Sequence, residues 1–202
     1  NFKQTYYLKE RQYFESLEKA QNPKTLVVAC CDSRVDPAIL LHCKPGDLFV
    51  IRNVAALVPA VTQASNPCSV MSAIEYGVKH LNVEHIVVMG HSHCGGIHGL
   101  MAPETIAGET YIQDWVGIAS PALERLQAIT GDEDEKTRSR HCEEGAVLIS
   151  LDNLLSYPWI AERVKNGQLK LHALYYDLSE GNLYRFSPDS EDFELLFHTI
   201  EN

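Results

Sequence analysis

Short apolar runs without polar alternation punctuate this chain, separated by longer stretches of helical periodicity. Four runs stand out: 25–30 (TLVVAC), 47–52 (DLFVIR), 84–90 (EHIVVMG) and 169–176 (LKLHALYY). Continuous runs of this length, rich in Val, Ile and Leu, predict strands covered on both faces, as in a parallel sheet. Between them, apolar residues recur at helical spacing over 66–80, 95–101, 111–128, 143–155 and 159–166. Asn66-Pro67 predicts an N-cap with proline at the first helical position. Pro45-Gly46 marks a turn before the second strand, and 103–109 reads as a loop. In 2–20, Phe2, Tyr6 and Tyr13 share one helical face, which predicts an amphipathic arm ended by Pro23. Runs at 183–186 and 193–197 predict an antiparallel edge hairpin. The expected fold class is therefore α/β, with a mostly parallel central sheet flanked by helices, an N-terminal helical arm (1–22) and the main domain at 23–202. The polar run 131–140 is expected to be disordered.

Composition narrows the function without naming it. The chain has 202 residues, 45% hydrophobic and 22% charged. At that size it buries roughly 70% of its unfolded surface, enough to fold without disulfides or metal. The net charge of −10 is spread along the chain apart from an acidic cluster at 132–135. That balance argues against nucleic acid or an anionic membrane as partner, since both demand clustered Lys and Arg. No stretch approaches the roughly 20 apolar residues of a membrane span. No charged-then-apolar leader opens the chain, which begins at Asn1; the expected location is cytoplasmic, with an organelle address left open. Six cysteines are too sparse for a disulfide scaffold and point instead to a reducing compartment.

The chemistry collects where two predicted strands end. The first runs into Cys30-Cys31-Asp32-Ser33-Arg34, and the third into Gly90-His91-Ser92-His93-Cys94-Gly95-Gly96. In open α/β sheets ligands bind beyond the carboxyl ends of the strands, so both motifs fall where a site belongs. His91 and Cys94 are spaced to reach one ion from a tight turn, and a cysteine at the neighbouring strand tip supplies a third soft donor. Mixed thiolate and imidazole donors favour zinc, and three protein ligands with an open fourth position is the catalytic arrangement. An isolated buried cysteine is more often core filler than ligand. Two such motifs, each closing a strand, make coincidence a poor explanation. Cys43 and Cys68 read as packing residues, Trp115 and Trp159 as core or interface anchors. His141-Cys142 is a poor metal pair because neighbours on a helix point apart.

C-x-D-S-R followed about sixty residues later by H-x-x-C-G-G resembles the signature of the β-class carbonic anhydrases. The resemblance extends through PGDLFVIRNVA (45–55), AIEY (73–76), HCEEGAV (141–147), NLLSYP (153–158) and YYD (175–177), the later segments looking like the plant-type branch. It implies zinc on Cys30, His91 and Cys94, with Cys31 a bystander carrying a buried thiol. Asp32 and Arg34 match the family's catalytic dyad, and residues 23–202 its catalytic domain. Gln21 matches a glutamine that binds substrate from across a dimer interface. Phe49, Val54 and Tyr76 match residues lining the carbon dioxide pocket, and Gly95 a backbone donor to bicarbonate. In bicarbonate-inhibited bacterial members a Trp three residues before the ligand Cys completes an anion site with an Arg and a Tyr. Arg52 and Tyr176 match the last two, but Val27 replaces the Trp, so that site is expected to be missing.

The implied function is reversible hydration of carbon dioxide to bicarbonate and a proton through a zinc-bound hydroxide, oriented by Asp32 and Arg34. Two thiolates donate more charge than two imidazoles, so activity is expected to rise on the alkaline side. His93 is expected to hold the turn more than to carry protons. The implied assembly is a homodimer or a dimer-based higher oligomer, acting on a small molecule. The rivals are a Cys–His thiol-nucleophile hydrolase, a hydrolase of carbonyl sulfide or carbon disulfide on the same scaffold, and a zinc-stabilised binding module. The last expects four ligands close in sequence, and these three are not.

Overall fold

The computed structural model describes residues 1–64, 67–128 and 134–196. Six strands form one sheet: β1 (Thr25–Cys30), β2 (Leu48–Asn53), β3 (His85–His91), β4 (Lys170–Tyr176), β5 (Leu183–Ser187) and β6 (Asp192–Leu195). Their order is β2-β1-β3-β4-β5-β6. The first four are parallel; β5 and β6 add an antiparallel hairpin on one edge. The chain steps from β1 outward to β2, then returns to place β3 on the other side of β1. The direction of winding therefore reverses between β1 and β3, and a crevice opens beyond their carboxyl ends.

Alternate residues of the strands feed two cores. Leu26, Val28, Ile86, Val88, Ala173 and Tyr175 face a layer built from α3 (Ser69–Lys79), α7 (Glu135–Leu155) and α8 (Pro158–Lys165). Val27, Ala29, Val87, Met89 and Leu174 face the opposite side, under Leu40 and Leu41 at the end of α2 (Pro37–Leu40). Each fully buried aliphatic contributes roughly 1.5–3 kcal/mol. A third cluster joins the strand tips to the remaining helices: Cys30, Ala55 and Cys94 pack with Ile97, Ile118, Leu126 and Cys142. Ile97 belongs to α4 (Gly95–Met101), and Leu126 to α6 (Ser120–Ala128).

Several boundaries differ from the sequence expectation for identifiable reasons. The arm is two short pieces, a wide turn at Lys3–Tyr7 and α1 (Arg11–Leu17), with no buried residue in either. Its aromatics pack on one another, with ring centroids of Phe2 and Phe14 5.6 Å apart. The periodicity over 111–128 breaks into α5 (Thr110–Val116), a tight turn at Gly117–Ala119, and α6. The stretch expected to be disordered is corrected from residue 134 onward. Asp134 caps α7 by accepting from the Thr137 amide at 2.8 Å, and Arg140 pairs with Glu144 one turn later at 2.8 Å. Helix α2 was not read from the sequence, although Asp36 caps it and Pro37 opens it. Asn66, the expected cap of α3, and Phe197, the expected end of the hairpin, lie outside the described residues.

Candidate metal centre

Cys30 is the last residue of β1, His91 the last of β3, and Cys94 caps α4. All three are buried, and their ligand atoms lie within 4.8 Å of one another. The His91 ring is oriented by its own backbone: Nδ1 lies 2.8 Å from the Ser92 carbonyl. A carbonyl can only accept, so Nδ1 carries the proton and Nε2 presents its lone pair. Among the described residues, Nε2 is the buried side-chain nitrogen or oxygen without a partner. An orphaned polar atom in a core costs free energy unless something fills the gap. Two sulfurs and an imidazole around one point fit zinc, which takes thiolates at about 2.3 Å and imidazole at about 2.0 Å.

The surroundings hold these three side chains from several directions. The turn from His91 to Cys94 passes through His93 in the left-handed region at φ 58°. Arg34 donates to the His93 carbonyl at 3.3 Å, and the His93 ring meets Ser179 Oγ at 3.0 Å. Ser92 Oγ donates to Asp177 at 3.4 Å and accepts from the Leu178 amide at 2.8 Å. The Cys94 amide donates to Glu143 Oε1 at 3.0 Å, and the Tyr175 hydroxyl donates to Glu143 Oε2 at 2.7 Å. Cys30 Sγ accepts from the amides of Asp32 and Ala55, each at 3.4 Å.

Asp32 and Arg34 form a tight fork. The guanidinium donates Nε to Oδ1 at 2.9 Å and Nη2 to Oδ2 at 2.7 Å, and the Arg34 amide adds a bond to Oδ1 at 2.9 Å. Asp32 Oδ2 lies 4.0 Å from His91 Nε2, beside the metal position. The bonds from Arg34 hold the Asp32 carboxyl well below the usual carboxylate range against an opposing push from burial. The fork thus keeps Asp32 ionised and turned. Arg52 lies behind it and bonds to backbone, donating from Nε to the carbonyl of Cys30 (2.9 Å) and from Nη2 to those of Asp32 (2.6 Å) and Val35 (2.7 Å).

With the two sulfurs this close, the protonation of one depends on that of the other. The Cys94 thiol bonds to Cys30, which lowers Cys30 and, together with burial, raises Cys94. Burial depresses His91, but Cys30, the Ser92 carbonyl and Asp32 outweigh it and its pKa is raised. A divalent cation at this point demands two thiolates and a neutral imidazole, so its binding expels protons.

Of the other residues singled out from the sequence, Val54 packs in the cluster with Cys30 and Cys94. Gly95 follows Cys94 with open space where a side chain would project. Phe49 and Tyr76 meet each other, with centroids 6.1 Å apart, but well away from this point. Phe49 pairs with Leu26 while Asn53 pairs with Cys30; four residue steps along the strand separate them, about 13 Å. Gln21 is exposed before the amino end of β1, also at the far end of the sheet. Cys31 is corrected: its thiol is exposed. Its amide still bonds to the Asn53 carbonyl at 2.8 Å, but β1 has ended and the side chain leaves the sheet. Residues missed at the sequence level include Glu143, Ser92, Asp177 and Asn53.

A family model described as carbonic anhydrase matches residues 25–183. The mitochondrial β carbonic anhydrase 6 of Arabidopsis thaliana is 40% identical over 196 residues, 95% of this chain and 67% of its own length. The chain belongs to the β-carbonic anhydrase family. This is a lyase family whose members use zinc. The chloroplastic β carbonic anhydrase 5 of the same plant is 40% identical across 93% of this chain, which spans 62% of that relative's length. Among solved structures, the β-carbonic anhydrase CcaA superposes with a TM-score of 0.91 at 30% identity, covering 96% of this chain and 94% of its own. A tetrameric β-carbonic anhydrase of Sordaria macrospora gives a TM-score of 0.75 at 32% identity over 90% of this chain and 89% of its own.

Proposed function

We propose that this chain hydrates carbon dioxide reversibly to bicarbonate and a proton, with zinc held by Cys30, His91 and Cys94. The observation that carries the reading is the orphaned His91 Nε2, turned toward two buried sulfurs within 4.8 Å. Zinc at this point supplies the Lewis acidity that makes water nucleophilic near neutral pH. Asp32 stays ionised under Arg34 and accepts a hydrogen bond from the attacking oxygen, keeping a lone pair aimed at carbon. Val54 offers an apolar wall for carbon dioxide, and the Gly95 amide a donor for the bicarbonate oxygens.

Gln21, Phe49 and Tyr76 enter the same reading only through a second copy. They stand at the opposite end of the sheet from Cys30, so in their own subunit they are out of reach of the site. Tyr76 is 45% exposed on the outer side of the sheet edge, where a partner can bring its own strand tips. A homodimer in which each subunit completes the other's pocket, or a higher oligomer built from it, accounts for that exposure. A monomer by light scattering with full activity would remove this part of the reading.

All six cysteines are free, which fits an aqueous reducing compartment, the cytoplasm or an organelle interior. No helix among the described residues is long and apolar enough to cross a membrane. A Cys–His nucleophile reading leaves one of the two cysteines idle although both sulfurs lie within 4.8 Å of the His91 ligand atom. Metal analysis with stopped-flow hydration of carbon dioxide separates the two. The anhydrase reading expects one zinc per chain, activity lost on chelation and restored by zinc, and a Cys94→Ala variant that binds none. Full activity in metal-free protein would refute it.

A further inference from the structure

Glu143 is a buried carboxyl group with no part in the proposed reaction. Its position follows from helix packing. Gly90 in β3 carries no side chain, and a Cβ there would collide with Val147 Cγ2, so α7 lies directly on the strand backbone. Glu143 is one helical turn before Val147 on the same face. That places it just past the end of β3, over the turn that presents Cys94. One oxygen accepts the Cys94 amide at 3.0 Å; the other accepts the Tyr175 hydroxyl at 2.7 Å. Glu143 is 6% exposed and Tyr175 1%. Tyr175 stands opposite Gly90 in the β3–β4 register, so both anchors of the carboxyl group are set by the sheet.

We propose that Glu143 is a positioning residue for the metal centre: through the Cys94 amide it sets the direction in which Cys94 presents its sulfur, and Tyr175 fixes Glu143 in turn. The inference rests on the reading of Cys30, His91 and Cys94 as zinc ligands. Cys94 needs such a tie because the residue before it, His93, holds a left-handed conformation at φ 58°. A non-glycine residue stays there only when its neighbours over-determine it. The Arg34 bond to the His93 carbonyl holds one side of that peptide, and Glu143 holds the amide on the other. Tyr175→Phe and Glu143→Ala remove the hold in two different ways. Glu143→Gln keeps an oxygen for the Cys94 amide and places its NH2 against the Tyr175 oxygen, which can accept.

The test is zinc affinity by competition with a chromophoric chelator, together with the thiolate-to-cobalt absorption bands of the Co2+-substituted protein. Wild type should bind one ion tightly. Glu143→Ala should bind about 10- to 100-fold more weakly with altered bands, Tyr175→Phe should fall between, and Glu143→Gln should return close to wild type. Should Glu143→Ala fail to fold, Tyr175→Phe decides in its place, weakened binding supporting the role and unchanged binding with unchanged bands overturning it. A folded Glu143→Ala protein with wild-type affinity and bands overturns it, whatever its melting temperature. Glu143→Gln as weak as Glu143→Ala also overturns it, because charge rather than placement would then matter. Wild-type protein that binds no zinc defeats the underlying metal reading instead.

Discussion

Replacing Gly90 by alanine should destabilise the protein, and a second substitution should reverse much of the damage. A Cβ at residue 90 would overlap Val147 Cγ2, with the Glu143 carbonyl and Tyr175 Cδ2 each 3.8 Å away on the flanks. Valine in a helix has one strongly preferred χ1, so Cγ2 cannot swing aside cheaply. Val147 is 2% exposed and has no open space to enter. The strand or helix α7 must therefore move, and forcing an extra methyl into a packed core costs about 1–3 kcal/mol. For a chain of this size each kcal/mol lowers the melting temperature by about 2–4 °C, so Gly90→Ala should melt about 2–12 °C below wild type. Val147→Ala alone should also destabilise, because it empties part of the core. In the double variant the new methyl occupies the space that Cγ2 vacated, so the two losses should not add. Thermal and urea denaturation of the four proteins in a double-mutant cycle give the coupling, expected at about 1 kcal/mol or more in the compensating direction. Strict additivity, or Gly90→Ala melting within a degree of wild type, would refute direct contact between α7 and the β3 backbone.

Three further outcomes are expected. Arg34→Ala should lower carbon dioxide hydration by about 100-fold, as loss of a preorganised charge partner does; an exposed ion pair of no mechanistic use would change it less than about fivefold, and that result would remove the fork from the reaction. His172 is held below the usual histidine value by burial first and then by His85, Arg185 and Lys170. The unfolded chain therefore takes up the proton more readily, and the stability tied to this group is present above about pH 6.5 and lost as pH falls through that value toward the folded pKa. His172→Gln should show a shallower loss of urea midpoint between about pH 7.5 and 5.5, and an unchanged slope would contradict the assignment. Finally, Cys94→Ala mixed with a Phe49→Ala/Tyr76→Ala double variant should regain about a quarter of wild-type hydration, because half of randomly assorted dimers carry one complete site; no gain on mixing under conditions where subunits exchange would rule out the shared pocket.

The strands and the candidate metal ligands were legible because both depend on patterns that survive in one dimension. TLVVAC and EHIVVMG are buried on both faces, and such runs have few alternatives. Cys30 and His91 terminate them and Cys94 follows one turn later at the start of α4, so the topology that reverses between β1 and β3 brings the three donors together. Glu143 was not legible from residue chemistry alone, since a Glu in a helix is ordinarily solvated; only its spacing of four from Val147, opposite Gly90, gives it away. The early start of α7 depends on a single capping Asp in an otherwise polar run. Gln21, Phe49 and Tyr76 were named by resemblance, and the sheet places them at the end opposite Cys30, out of reach of the site within their own chain.

The segment least readable in sequence is also the one that best explains why the ligands stand assembled. Ala55 and Ala56 both lie in the left-handed region, at φ 63° and 55°, where a β-carbon costs roughly 1–2 kcal/mol per residue. Alanine gives no hint of this, as glycine would. The turn is held by Asn53, whose side chain accepts from the Leu57 amide at 2.8 Å and donates to the Leu57 carbonyl at 2.9 Å, and by Trp115, which donates to the Val54 carbonyl at 2.8 Å. The result is the Ala55 amide 3.4 Å from Cys30 Sγ, with Val54 beside it. The same turn leaves no room opposite it: a Cβ at Gly96 would lie 2.7 Å from Val54 Cγ1 and 3.1 Å from the Ala55 Cβ, so the second residue of helix α4 must be glycine to seat Cys94 this close. Strain in one loop and missing side chains in its neighbour are thus two halves of one device. Both draw the sulfurs together through the fold, so that an ion completes a geometry the chain has already formed.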